Sequence, residues 1–174
     1  IPLGREKRRS LVDWNWEDYR QRGLPGISKK ETAIEVSEEP ILSFVIVTFN
    51  SEADIGACLD SVQFTNQNGK FQVVVVDNAS RDETAGIIIE KKIKNLNFIQ
   101  NTVNVGFTKA VNQGVKIAGG EYLFILNPDT QLTEGSVERL MKKISSDNTI
   151  GLVAPQLRFP DGGIQYSCRR FPTF

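Results

Sequence analysis

At 174 residues the chain is long enough for one domain with a proper core and too short for two comfortable ones. Its 40% hydrophobic and 24% charged fractions are ordinary for a globular protein, and 21 basic residues balance 21 acidic ones, so no overall field favours nucleic acid or an anionic membrane. With no histidine, Ser-His-Asp and Cys-His catalysis and His-ligated zinc are excluded within this stretch, and the longest apolar run, Ile41 to Phe49, is too short to cross a bilayer.

Residues 1–40 read as an upstream extension or linker. They carry a basic cluster at Arg5, Lys7, Arg8 and Arg9, a poorly periodic LVDWNWEDYRQRG, and a polar end at SEEP. Trp14 and Trp16 are expected to dock this tail on a neighbouring surface. Cys58 and Cys168 lie far apart and in no metal-ligand spacing, which points to reduced thiols in a cytoplasmic setting, including the cytoplasmic face of a membrane. The chain begins at Ile1 and holds its one methionine at Met141, as expected of a piece of a longer polypeptide.

From Ile41 the pattern is regular. ILSFVIVT is an uncharged β-branched and aromatic run, suited to a strand buried on both faces. Ser51 is placed to cap a helix whose apolar residues Ile55, Cys58, Leu59 and Val62 share one face. Asn68-Gly69 signals a turn before a second buried strand, FQVVVVD. Ser80 and Glu83 have capping-box spacing, opening a helix through Ala85, Ile88, Ile89 and Ile93. LNFIQN gives a third strand. A helix from Phe107 is expected to bury Phe107, Ala110, Val111, Gly114 and Ala118, and EYLFIL forms the fourth strand. Thr133 is placed to cap a helix carrying Val137, Leu140, Met141 and Ile144, and IGLVAP reads as strand-like.

Strands alternating with helices over residues 41–155 predict an α/β domain with a mostly parallel sheet and helices on both faces. In such sheets ligands sit at the carboxyl ends of the strands. Those ends are polar here: Thr48-Phe49-Asn50, Asp77-Asn78, Asn101 to Asn104, and Asn127 to Asp129. Residues 156–174 hold a turn at Pro160-Asp161-Gly162-Gly163 and read as the start of a further, acceptor-side region that is cut short.

The first strand end, VTFNSE, lacks the G-x-G-x-x-G of a dinucleotide site, and no G-x-x-x-x-G-K-S/T loop is present. Two readings of it stay open: Thr48, Phe49 and Asn50 offer an aromatic face and hydrogen-bonding groups to a nucleoside, or Asn50-Ser51 simply caps the helix. VVVVDNASRDET delivers Asp77 from a buried strand into a polar loop, where a carboxylate accepts a base N–H or a ribose hydroxyl. Asp82 in the same loop reads as structural. Asp129 is suited to hold a hard divalent ion whose remaining ligands are water and phosphate, although Asn-Pro-Asp-Thr is equally good β-turn composition.

VIVTFNSE, VVVVDNASRDET, NVGFTKAVNQG and GEYLFILNPDT, in this order and spacing, resemble the nucleotide-sugar half of family 2 glycosyltransferases, especially their rhamnosyltransferase-like branch. RFPDGGIQYSCRRFPT is similar to the segment that follows in that branch. The resemblance implies the GT-A fold, a Rossmann-like sheet, binding a UDP- or dTDP-type nucleotide diphosphate sugar with Mg or Mn. It places Thr48, Phe49, Asn50 and Glu52 around the nucleoside and Asp77 on the base. It puts Asn104, Gly106, Lys109 and Asn112 near the ribose, diphosphate or sugar. Asp129 becomes the second acid of the family's Asp-x-Asp motif, with Asn127 in the first position and metal binding resting on Asp129 alone.

The resemblance also implies a hexosyltransferase-type, inverting reaction of polysaccharide biosynthesis on a glycan or lipid-linked acceptor. The acceptor site and general base are expected beyond Phe174, and Asp161 reads as a turn residue. Two other classes remain: a nucleotidyltransferase, for which VTFNSEAD lacks a basic glycine loop, and a non-catalytic nucleotide-sugar or partner-binding module.

Overall fold

A computed structural model describes residues 40–65 and 70–166. Its elements are β1 (Leu42–Thr48), α1 (Ile55–Thr65), β2 (Phe71–Asp77), α2 (Thr84–Glu90), β3 (Leu96–Gln100), α3 (Phe107–Ile117), β4 (Tyr122–Leu126) and α4 (Ser136–Ile144), then the short β5 (Leu157–Arg158) and β6 (Ile164–Gln165). The first four strands form one sheet in the order β3-β2-β1-β4, and every pair is parallel. The expected α/β architecture is present.

The central strands β1 and β2 are apolar because both faces are covered. On one face Phe44, Ile46, Val73 and Val75 pack against Ile55, Cys58, Leu59 and Val62 of α1, Ile88 of α2 and Val137 of α4. On the other, Val45, Val47, Val74 and Val76 pack against Ala110 of α3. Each such aliphatic side chain contributes roughly 1.5–3 kcal/mol on full burial. Gly114 lets α3 approach closely, since a Cβ there would stand 2.6 Å from Val45 Cγ1. At the amino ends of the strands, Ser43 Oγ donates to Gln72 Oε1 (2.7 Å) and accepts from Gly120 N (2.9 Å), pinning the entry of β4.

Several local expectations are corrected. Ser51 does not cap α1 with its side chain: its carbonyl accepts the Asp54 and Ile55 amides, while its hydroxyl accepts Phe49 N. The Ser80/Glu83 box is not formed, because the Ser80 hydroxyl turns back to Asp77 and α2 starts at Thr84 with no side-chain bond from Glu83. Thr133 offers only its carbonyl to Ser136, and Gly135 in the left-handed region is the N-cap of α4. Phe107 is 57% exposed rather than buried. IGLVAP forms no strand, having no partner strand among the described residues, and its Leu152 is exposed. The Pro160 to Gly163 turn joins β5 to β6, with Gly162 at positive φ and Asp161 Oδ1 accepting Gly163 N. The Asn68-Gly69 turn and the readings on residues 1–39 lie outside the described residues.

Candidate functional site

The chain runs from β1 through β2 to β3 on one side, then returns to the other side of β1 for β4. The direction of strand order therefore reverses between β1 and β4, and a crevice opens at the carboxyl ends of strands at such a point. Asp77 ends β2 and Asp129 follows β4, so the two carboxylates flank the end of β1.

Parallel register sets Thr48 beside Asp77. Both are fully buried, and Thr48 Oγ1 donates to Asp77 Oδ1 at 3.0 Å. The Ser80 hydroxyl also donates to Oδ1 through a short bond, while Oδ2 accepts Ser80 N at 3.2 Å and Gln100 Nε2 at 3.4 Å. Four donors from three residues thus satisfy the buried carboxylate. A base N–H reaching Asp77 displaces one of these donors, and the exposed Gln100 amide makes the longest bond of the set.

The loops after β1 and β2 are interlocked. Asn50, at φ 50°, donates its amide to Ser80 Oγ (2.9 Å) and accepts Arg81 N on Oδ1 (2.9 Å). Ser51 N donates to the buried Thr84 Oγ1 (2.8 Å), Glu52 N to Asp82 Oδ2 (3.2 Å), and Glu83 N to Glu52 Oε2 (2.9 Å). Asn50 and Glu52 thus hold the loop that carries Asp77, and Glu52 supplies the α2 cap that the local box does not. Asp82 also accepts the amide and hydroxyl of Thr84. Desolvation pushes its carboxyl upward, but the Thr84 and Glu52 hydrogen bonds outweigh it and hold the group below its ordinary value. Phe49, half exposed beside this framework, leaves its ring available for stacking.

Past β3 the framework continues in carboxamides. Asn78 Nδ2 donates to Asn104 Oδ1 (2.8 Å), and Asn78 Oδ1 accepts Val105 N (2.9 Å). Asn104 Oδ1 also accepts Gly106 N (2.9 Å). Gly106 is the N-cap of α3 at φ 84°, a conformation that favours glycine. Lys109 and Asn112 are exposed on α3, and their side chains make no hydrogen bond among the described residues.

The loop after β4 is built differently. Asn127 and Asp129 are exposed, and the one hydrogen bond to the Asp129 carboxylate among the described residues is a 3.5 Å contact from the Thr130 hydroxyl. The loop is tied from below by α1: the buried Cys58 thiol donates to the Asn127 carbonyl (3.6 Å), and Ser61 Oγ accepts Leu132 N (3.0 Å). Burial, then the charge of Asp129, pushes the Cys58 thiol up to about 12.

Among the described residues no group of three or more Cys, Asp or Glu side chains converges to hold a metal. The donor set, one exposed and almost unpartnered carboxylate, fits an Mg or Mn ion that keeps water and completes its shell with phosphate oxygens; it does not fit an all-protein cage. The strand-end motifs named Thr48, Asp77 and Asp129. The sequence marks Asn78 only as part of a polar strand end, Ser80 as half of a capping box and Cys58 as one of a helix's apolar residues, and gives Thr84 and Ser61 no role, because their partners are mostly distant in sequence. The one readable signal was the recurrence of asparagine at 78, 101 and 104, each at a strand end.

The family model described as glycosyl transferase family 2 matches residues 43–171. A poly(ribitol-phosphate) beta-glucosyltransferase of Bacillus spizizenii is 35% identical over 117 residues, 63% of this chain and 18% of that protein. An N-acetylglucosaminyl-diphospho-decaprenol L-rhamnosyltransferase of Mycobacterium tuberculosis is 26% identical over 144 residues, 76% of this chain and 46% of that protein. The chain spans less than half the length of these curated relatives. Among solved structures, S. aureus TarS 1-349 in complex with UDP-GlcNAc matches 68% of this chain and 38% of its own at 26% identity and a TM-score of 0.54. A mannosyltransferase from Pyrobaculum calidifontis, PcManGT, in complex with GDP-Man and Mn2+, shares the fold at 22% identity and a TM-score of 0.62, over 83% of this chain and 41% of its own.

Proposed function

We propose, from the premise that the chain belongs to glycosyl transferase family 2, that it forms the donor-binding part of an enzyme transferring a hexosyl-type sugar from a nucleotide diphosphate sugar to an acceptor hydroxyl, with inversion. The observation that carries this reading is the pair of carboxylates flanking the end of β1 at the point where strand order reverses. One is buried in a finished framework and the other is exposed. The TarS structures that hold UDP and UDP-GlcNAc support a UDP-type donor.

In this reading Phe49 stacks on the base, Asp77 accepts its N–H as Gln100 is displaced, and Thr48, Asn50 and Glu52 keep the nucleoside loops in place. Asn104, Gly106, Lys109 and Asn112 lie along the diphosphate and sugar, where Lys109 supplies positive charge. Asn127 lies beside the donor, and Asp129 would hold Mg or Mn, which when bound offsets the charge of the departing diphosphate. The acceptor is a glycan or a lipid-linked sugar, in polysaccharide assembly at the cytoplasmic face of a membrane. None of these carboxylates is assigned as the base, since each has a donor-side or structural role.

Calorimetric titration with UDP and with dTDP, each with and without Mn2+, tests the reading. Metal-dependent binding by folded protein is expected. Its absence overturns the reading, and an Asp129→Ala variant that keeps the full metal-dependent gain overturns the placement of the ion.

A further inference from the structure

We infer that Asn78 is a positioning residue that couples the nucleoside side of the donor site to its diphosphate side, by holding the turn that leads into α3. The inference rests on the donor-site reading above. Asn78 follows Asp77 directly, and its amide donates to the Thr48 carbonyl at 2.8 Å, prolonging the β1–β2 ladder by one bond. Its side chain, 3% exposed, turns toward the loop after β3. Asn78 Oδ1 accepts Val105 N (2.9 Å) and Asn101 Nδ2 (3.2 Å), and its Nδ2 donates to Asn104 Oδ1 (2.8 Å). Asn101 is in turn paired in both directions with Gln113 of α3, at 2.9 Å each way. One carboxamide therefore joins the end of β2, the end of β3, the turn before α3 and, through Asn101, the body of α3.

The turn has little else to hold it. Val103 and Phe107, the large apolar residues at either end, are 64% and 57% exposed, and only Val105 between them packs on the core. Nor is the amide pattern reversible. Asn104 Oδ1 accepts both Asn78 Nδ2 and Gly106 N, so turning over the Asn104 amide to suit a different partner at position 78 sacrifices the bond to the N-cap glycine. Ala79 sits at φ 68°, a conformation that costs a non-glycine residue roughly 1–2 kcal/mol. It lets Ser80 fold back on Asp77 while Asn78 points away from it. The divergence of these two neighbours splits the loop between the two sides of the site.

Asn78→Asp is the decisive variant, because it keeps the Oδ1 acceptor, keeps the volume and replaces only the donor to Asn104 with a charged acceptor. Uridine reports the nucleoside side alone and UDP reports both sides. With the fold checked by thermal melting, Asn78→Asp is expected to weaken UDP binding about tenfold while leaving uridine binding within about twofold, as loss of a part-buried hydrogen bond confined to the diphosphate side, with a like charge put in its place, implies. Equal loss for both ligands, or no loss for either, overturns the assignment. Gln113→Glu, on the half-buried flank of α3, removes the donor to Asn101 and decides the matter should Asn78→Asp not fold. A smaller fall in UDP relative to uridine affinity supports the coupling, and an unchanged ratio overturns it. Wild-type protein that binds no UDP overturns the donor-site reading itself and this inference with it, a result separable from the others because it needs no variant.

Discussion

The loops at the ends of β1 and β2 lie on one side of the strand-order reversal, and the loop at the end of β4 lies on the other. The first pair is closed on itself: Asp77 is buried under donors from Thr48, Ser80 and Gln100, and the chain around it is stitched by Asn50, Ser51, Glu52, Asp82 and Thr84. The second is open, its carboxylate exposed and its backbone tied to α1 through Cys58 and Ser61. The difference teaches how a parallel sheet divides the work. On the proposed donor-site reading, a neutral, weakly binding nucleoside needs a framework preorganised before it arrives, whereas a diphosphate and its cation bring enough charge to organise a loop on binding.

Asp77→Ala strikes the closed side hardest. It strands the buried Thr48 hydroxyl and loosens Ser80, so unfolding free energy should fall by about 2–4 kcal/mol, read by chemical denaturation. Little change would show the framework to be redundant. Asp129→Ala is the mirror experiment: stability should stay within about 0.5 kcal/mol, as for an exposed residue without firm partners, while the Mn2+-dependent gain in UDP affinity disappears. If both variants cost similar stability, the contrast between the two sides is broken.

Cys58 sharpens the contrast from beneath the open loop. In a Cys168→Ser background, native protein at pH 8 should resist maleimide labelling and react only when unfolded. The sign of the pH effect follows from the same thiol, whose value is raised from 9.0 to about 12 on folding. The stability contributed by keeping it neutral is full below about 9 and is lost as pH rises toward about 12. Cys58→Ala should flatten that part of the profile. Asp82 acts oppositely: its value is lowered from 3.8, so its contribution is present above that pH and fades as pH falls below it. Asp82→Asn should flatten the acid limb of a melting-temperature profile. The smallest effect is expected at Ala79, where glycine at φ 68° should stabilise the closed side by about 0.5–1 kcal/mol.

The strands were legible because burial on both faces leaves a composition that few other arrangements tolerate: LSFVIVT and FQVVVVD carry no charge until the residue that enters the crevice. The helical face of Ile55, Cys58, Leu59 and Val62 was legible for the same reason. Caps were not. A hydroxyl can serve any donor or acceptor that tertiary structure brings near, so Ser80 answers to Asp77 instead of Glu83, and α2 takes its help from Glu52, whose carboxylate meets an amide 31 residues away. The thiol bond from Cys58 to Asn127 spans 69 residues and left no local trace. Phe107 misled because helical spacing marks a face, and whether that face is covered at its first turn depends on a neighbouring layer that α3 outruns.

The central position of β1 has a consequence for the order in which the site comes into being. Leu42 meets Phe71 on one side and Tyr122 on the other, so the first pairing closes a far shorter stretch of chain than the second. As the polypeptide leaves the ribosome, β1 and β2 can zip together, and Thr48 can find Asp77, while β4 is still being made. The Asp77 side of the crevice therefore takes shape first in every synthesis, and the loop that carries Asp129 is added later against a surface that already exists. A nascent chain whose residues up to 100 have cleared the ribosomal tunnel should hold the first half of the site and none of the second.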